Sequence, residues 1–230
     1  MSCQAIYHAA ILARNIYFIM LIMIKYNVPF FANTKDNTHC VQACFKSILK
    51  FFLPERAFSF AELGRMSKKS EGKGTWWFPM YLELKKMRFD IKEISNFDYE
   101  KYYKEGKKYL QEIYTNEQTN WYLEKSNLLD VKKYIPEFLV LVKPEVRKAT
   151  NEDFERLLSE GYLLISDVNY YAIQGKVGYG SHAVVVFGFD EENFYLHDPG
   201  LPPRENLKVS KKLFQKAGGD NLSAFKLSAL

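Results

Sequence analysis

Three residues far apart in this 230-residue chain, Cys40, His182 and Asp198, are of the types that together break acyl bonds. A thiolate attacks a carbonyl carbon, an imidazole moves the proton, and a carboxylate holds the imidazole in one tautomer and orientation. Cys40 opens a stretch in which Val41, Cys44, Phe45, Ile48, Leu49 and Phe52 follow the i, i+3, i+4, i+7, i+8, i+11 spacing of one buried helical face. That spacing predicts a helix with Cys40 in its first turn, ended by Leu53-Pro54 because proline cannot continue it. In the first turn, backbone N–H groups without helical partners and the positive end of the helix dipole favour thiolate over thiol.

The proton carrier and its orienting group fall on one predicted hairpin. His182 to Phe189 is a near-continuous apolar run, Asp190-Glu191-Glu192 is a turn, and Asn193 to Asp198 is a second strand closed by Pro199-Gly200. A turn centred near residue 190 or 191 brings His182 and Asp198 to the same end of the ladder. Their separation of sixteen is even, so without a bulge both side chains project from one face. His197 then points to the other face. Cys44, one turn below Cys40, reads as a core residue. His39, Cys40 and Cys44 lack a second pair at zinc spacing, so no metal site is expected.

The elements that must carry these residues read as helices first and a sheet second. Tyr26 to Ala32 reads as a short edge strand tolerant of Pro29, and Asn33 to Thr38 as a polar loop into the Cys40 helix. Ser59 and Glu62 form a capping box, and Pro79 sits in the first turn of a helix within 76–87. Phe89 to Ile94 alternates as a half-buried strand. The Lys-, Glu- and Tyr-rich region 97–142 reads as two or three helices. A further helix starts at Thr150 and ends at Gly161, followed by a strand from Tyr162 to Val168, a glycine-bearing loop at 175–180, the hairpin, a short helix at 210–217 and a last strand from Leu222. The fold class is α+β with segregated lobes. Trp76 and Trp77 read as core, at the edge of an amphipathic helix.

A hydrophobic content of 47%, with 16% aromatic, suffices for a core and excludes global disorder. The net charge of +5 comes from 32 basic and 27 acidic residues, interleaved, which excludes a nucleic-acid surface as partner. Three cysteines form no disulfide framework, so a reducing, cytoplasmic compartment is expected. The nine apolar residues Ile16 to Ile24 fall short of the ~20 of a membrane span. Residues 1–25 therefore form a separate N-terminal apolar segment, either a packed or membrane-associated anchor or a stretch upstream of a start at Met23. No cofactor is expected, and nothing in the sequence bears on oligomeric state.

The Cys-x-x-Ala helix at Cys40, the strand Ser181-His182-Ala183-Val184-Val185-Val186-Phe187-Gly188 and the block Leu196-His197-Asp198-Pro199-Gly200 resemble the papain-like cysteine peptidases, in particular cysteine peptidase family 39. That family includes domains that cleave bacteriocin leader peptides after a double glycine. The resemblance implies a papain-like domain over 26–230, with a helical lobe at about 40–160, an antiparallel sheet lobe at about 161–230 and a cleft between them. It implies Cys40 as nucleophile, His182 as general base and acid, and Asp198 as orienting residue. Two positions differ from the family pattern: Val41 replaces the glycine after the nucleophile, and Thr34 stands where the family has an oxyanion-hole glutamine. Asn33, one residue earlier, carries the right donor and is the oxyanion candidate.

The expected function is a cysteine-dependent hydrolase that cleaves a peptide or isopeptide bond of a peptide or protein substrate through a thioester. An amidase or acyltransferase using the same three residues, and a non-catalytic module that holds a peptide in the cleft, are the alternatives.

Overall fold

The computed structural model describes residues 23–228. Strand β1 (Ile24–Lys25) is followed by an extended segment and helix α1 (Cys40–Phe52), then α2 (Phe60–Met66), α3 (Phe78–Lys86) and β2 (Phe89–Ser95). A helical stretch follows, comprising α4 (Tyr99–Glu105), α5 (Lys107–Ile113), α6 (Asn116–Lys125), α7 (Leu128–Val131) and α8 (Ile135–Val142). The second half holds β3 (Glu145–Val146), α9 (Asn151–Ser159), β4 (Leu163–Asn169), α10 (Tyr170–Ile173), β5 (Ser181–Phe189), β6 (Asn193–Asp198), β7 (Arg204–Ser210), α11 (Lys211–Lys216) and β8 (Leu222–Leu227).

The strands form one sheet in the order β3-β2-β8-β4-β5-β6-β7, antiparallel except for β2 with β3. β4 covers one edge of β5 from Ser181 to Val186, and β1 takes its place opposite Gly188 and Phe189. Both faces are buried, so the strands read as near-continuous apolar runs whose alternate residues serve different cores. Leu163, Ile165, Ala183, Val185, Phe187 and Phe225 face the core that holds Cys44, Phe45, Ile48 and Leu49 of α1. Leu164, Val184, Val186, Leu196 and Ala224 face a second core with Phe154, Leu157 and Leu158 of α9 and Phe214 of α11.

The fold is α+β and papain-like, with the helices of residues 40–142 set against the sheet across a cleft. The lobes are less segregated than expected, because β2 lies within the helical half of the chain and pairs with β8 from Phe89↔Leu227 to Ile94↔Leu222. Such pairing is set by the cores on the two sheet faces, which no local window of sequence displays. The edge strand expected at 26–32 is not formed. Pro29 lacks a ladder donor, and this segment is held instead by Tyr26 N–H on Phe187 O (3.0 Å) and by Val28 O accepting from His197 Nε2 (2.9 Å). The strand β7 was not expected. Its sequence is mostly polar and its residues are largely exposed, so its apolar signal is weak.

Of the separate N-terminal segment expected at 1–25, residues 1–22 lie outside the described residues, and Ile24–Lys25 belong to the sheet. Among the described residues no helix is long and apolar enough to cross a membrane.

Candidate active site

Helix α1 begins at Cys40 and packs on β5, which carries His182. The helix start is held from outside. His39 stands at the N-cap without a side-chain cap, and its own N–H donates to Asn33 Oδ1 at 2.8 Å. Apolar packing of Val41, Cys44 and Phe45 below fixes the helix axis, so the first turn points along the end of β5.

His182 and Asp198 share a face of the β5–β6 hairpin through two compensating irregularities. The turn is closed by Asp190, whose N–H donates to Asn193 O at 2.9 Å and whose Oδ1 accepts from Glu192 N and Asn193 N at 3.0 and 2.8 Å. It sets Phe189 opposite Phe194 and Gly188 opposite Tyr195. Carried on, that register would place Asp198 opposite Val185, on the face away from His182. A bulge between Val186 and Gly188 shifts the ladder so that Val186 faces Leu196 and Val185 faces His197. The bulge and the odd register of the turn cancel, which even spacing alone does not reveal. Glycine is required at 188, where a Cβ would run into the Ile24 carbonyl oxygen and stand 2.8 Å from Lys25 Cα.

The resulting cluster is tightly bonded. His182 Nε2 lies 2.7 Å from Asp198 Oδ1, which also accepts from Gly200 N at 2.8 Å. Asp198 Oδ2 accepts from Arg204 Nε at 3.0 Å and Nη2 at 2.5 Å, and its side chain is fully buried. The Tyr170 ring stands edge-on to the imidazole at 5.3 Å between centroids, and its hydroxyl is anchored on Leu201 O at 2.6 Å. With Nε2 given to Asp198, Nδ1 is the nitrogen left for the hydrogen bond that joins His182 to the Cys40 sulfur.

Charge follows from that arrangement. Burial pushes the Cys40 thiol up, but the hydrogen bond and charge of His182, with the backbone N–H groups of Ala183 and Val41, outweigh it and hold the thiol below its ordinary value. Burial pushes the His182 imidazolium down, and the bonds to Asp198 and Cys40 raise it well past that loss. Burial likewise opposes ionisation of Asp198, and His182, Gly200 and Arg204 together keep it below the usual carboxylate range. The cluster can thus hold a thiolate, an imidazolium and a carboxylate at once.

Asn33 is placed differently from the sequence expectation. Its Nδ2 donates to Asn37 Oδ1 at 2.8 Å, and its Oδ1 accepts from Thr34 N and His39 N. The short side chain closes on its own loop and so organises the approach to α1. The backbone N–H of Cys40 lies in the first turn, where no helical acceptor exists. Val41 is buried in the core below and also lines the cleft. His197 turns to the opposite sheet face, stacked at 4.3 Å on Phe187. Cys44 is buried, and burial raises its thiol well above the ordinary range. No cluster of His, Cys, Asp or Glu that could hold a metal occurs among the described residues.

Cys40 lines a cleft. Trp76 and Trp77, expected in the core, pack on it with one side and line this cleft with the other, together with Tyr99, Tyr114, Trp121 and Tyr122. The loop 175–180 is tied over one end by Tyr179, whose hydroxyl lies 2.8 Å from that of Tyr122. Glu93 lines the cleft floor, accepting from Tyr81 at 2.9 Å. Burial raises its carboxyl to about 7, against the hydrogen bonds of Ser223, Tyr81 and Tyr99. The unfolded chain releases this proton near the ordinary 4.5 and the folded protein only near 7. Stability should therefore decline as pH rises between those values and stay level above them. Measured by denaturant melts against Glu93→Gln, the wild type should lose about 3 kcal/mol between pH 4 and pH 8.

Arg204 and Tyr170 are residues beside the cluster without a signature in the sequence, whereas Gly200 belongs to the block around Asp198. A Cβ on Gly200 would stand 2.9 Å from Asp198 Oδ1, 3.1 Å from Tyr170 Cε2 and 3.2 Å from His182 Nε2. Gly200→Ala is expected to cost about 1–3 kcal/mol by overpacking, read as a lowered Tm, and to slow alkylation of Cys40 by displacing the imidazole.

No protein-family profile matches the sequence, and a search of curated proteins found no match. Among solved structures, a protein of Bacillus anthracis designated a C39-like peptidase aligns over 90% of this chain and 99% of its own, with a TM-score of 0.52 and 12% identity. The peptidase domain of Streptococcus ComA, a bi-functional ABC transporter involved in a quorum sensing pathway, aligns over 87% of this chain and 98% of its own, with a TM-score of 0.48 and 17% identity. At this identity the likeness is one of fold, and it agrees with the resemblance carried by the Cys40, His182 and Asp198 blocks. The chain has the papain-like fold of the C39-like peptidases.

Proposed function

We propose that the protein is a cysteine-dependent hydrolase that cleaves a peptide or isopeptide bond, with Cys40 as nucleophile, His182 as general acid and base, and Asp198 as the residue that orients His182. The observation that carries this reading is the bonded chain Cys40, His182, Asp198, in which the thiol is held below its ordinary pKa at a helix start that opens onto a cleft.

In the reaction, the Cys40 thiolate attacks the carbonyl carbon and the carbonyl oxygen becomes an oxyanion beside the Cys40 N–H. As the C–N bond breaks, His182 gives its Nδ1 proton to the leaving amine, and a thioester remains. His182 then takes a proton from water, whose oxygen attacks the thioester carbon. The C–S bond breaks, the acid leaves and the thiolate re-forms. Asp198 stays ionised throughout and keeps Nε2 protonated, so that Nδ1 is the nitrogen that exchanges the proton.

Iodoacetamide labelling at pH 7 tests the activated thiol. Cys40, identified by peptide mapping, is expected to react about tenfold faster than 2-mercaptoethanol, whose thiol is mostly protonated there. A rate no faster than that of the free thiol would overturn the reading.

A further inference from the structure

The cleft beside Cys40 has a one-sided chemistry. Its lining includes two carboxylates, Asp167 and Glu93, and several aromatic rings, and no lysine or arginine, although the His182 imidazolium beside Cys40 also acts on Asp167. Asp167 lies on β4 opposite Ala183, on the sheet face that looks toward α1. Both of its hydrogen bonds, from Ser181 Oγ at 2.8 Å and from His182 N at 3.0 Å, fall on Oδ1. Among the described residues nothing donates to Oδ2. Glu93 sits across the cleft on β2, bonded only by hydroxyl groups, those of Tyr81, Tyr99 and Ser223.

A solvent-accessible carboxylate oxygen with no protein donor, in a ring-lined cleft, is open to a cation from outside. An ion pair supplies the missing donor, and the faces of the surrounding rings attract the same charge. A neutral donor could pair that oxygen but would leave the carboxylate charge uncompensated, and an anion would be repelled. Burial raises Asp167 to about 6 and Glu93 to about 7, a cost that a cation beside them would offset. Both are charged at pH 8.

We propose that this cleft selects substrates with a positive charge close to the scissile bond, a lysine or arginine side chain, held by Asp167 as ion-pair partner, with Glu93 as second carboxylate and Trp76, Trp121 and Tyr122 as the surrounding rings. The proposal rests on the hydrolase reading of Cys40, and deepens it by giving the substrate class.

Charged thiol reagents of one scaffold test it on the full chain at pH 8 without a known substrate. Methanethiosulfonates bearing an ammonioethyl, a hydroxyethyl or a sulfonatoethyl group each transfer that group to Cys40. The thiolate attacks the sulfenyl sulfur, a disulfide forms and methanesulfinate leaves. Rates at Cys40, followed by mass spectrometry and divided by those of 2-mercaptoethanol, should rank cation over neutral over anion, with about a tenfold preference for the cation over the neutral reagent. The ratio of cation to neutral rates cancels the thiolate fraction. It should fall about fivefold in Asp167→Asn, which keeps the Oδ1 acceptor for Ser181 and His182 and removes only the charge. Should that variant not fold, Glu93→Gln serves the same comparison. A wild-type ratio equal to that of the free thiol, with fast iodoacetamide labelling, would overturn the cation preference and leave the hydrolase reading standing. A raised ratio unchanged in the variant would overturn the assignment to these carboxylates. Slow iodoacetamide labelling would overturn the hydrolase reading itself.

Discussion

Alkylation of Cys40 by iodoacetamide at pH 6 is expected to fall by about two orders of magnitude when His182 is replaced by alanine. The Cys40 thiol is held low because the imidazolium bond and charge outweigh burial. Without the ring, burial remains and the backbone N–H groups of Ala183 and Val41 alone oppose it. A thiol of ordinary pKa, ~8.5, is ionised to about 0.3% at pH 6, and burial reduces that further. The sign gives a second check. A thiol with a lowered pKa keeps its thiolate as the pH falls until that value is reached, so the wild-type rate should begin to fall at a lower pH than that of a free thiol. The His182→Ala rate should drop steadily below pH 9, and the two curves should converge in alkali. Circular dichroism would establish that the variant is folded. Equal rates at pH 6 would place the control of the thiol elsewhere than His182.

Asp198→Ala should have the second large effect, on both stability and reactivity. It strips the buried partner from Arg204 and leaves the imidazole free to turn, which for a buried pair costs about 3–5 kcal/mol in a denaturant melt. Arg204 is 28% exposed and can turn toward water, which favours the lower end of that range. Asp198→Asn separates the two roles. Its Oδ1 can still accept from His182 and Gly200, so labelling should recover to within about tenfold of wild type, whereas the amide cannot pair with Arg204 and stability should stay reduced. Because Asp198 has a lowered folded pKa, its stabilising charge is present above the ordinary carboxylate range and is lost as pH falls. The stability gap between wild type and Asp198→Asn should accordingly close in acid.

How much of this was legible in the sequence varies by residue. Cys40 announced itself because its helix has an unbroken apolar face, and the position of a residue within such a helix follows from spacing alone. The helices at 60, 78 and 151 were legible from Ser59, Pro79 and Thr150, since caps are local chemistry. The face shared by His182 and Asp198 was expected from parity, but it is reached by a bulge that offsets an odd turn register, and nothing local distinguishes the two routes. Asn33 has the right functional group, and its amide closes on Asn37 and His39, a contact set by the loop geometry that spacing does not display. Arg204 sits on a polar strand whose pairing depends on β6, so neither the strand nor its ion pair left a pattern. The cleft is the least legible feature. Its rings come from the segments 76–77, 97–99, 114 and 121–122, and its carboxylates from β2 and β4, joined only by the tertiary fold.

The most direct test of the central claim is cleavage of a peptide library of mixed sequence, with new termini identified by mass spectrometry for the wild type and for Cys40→Ala in parallel. The account predicts new termini with the wild type and none with the variant, which retains the fold by circular dichroism. New termini produced equally by Cys40→Ala, or none from a wild type whose Cys40 alkylates rapidly, would contradict it.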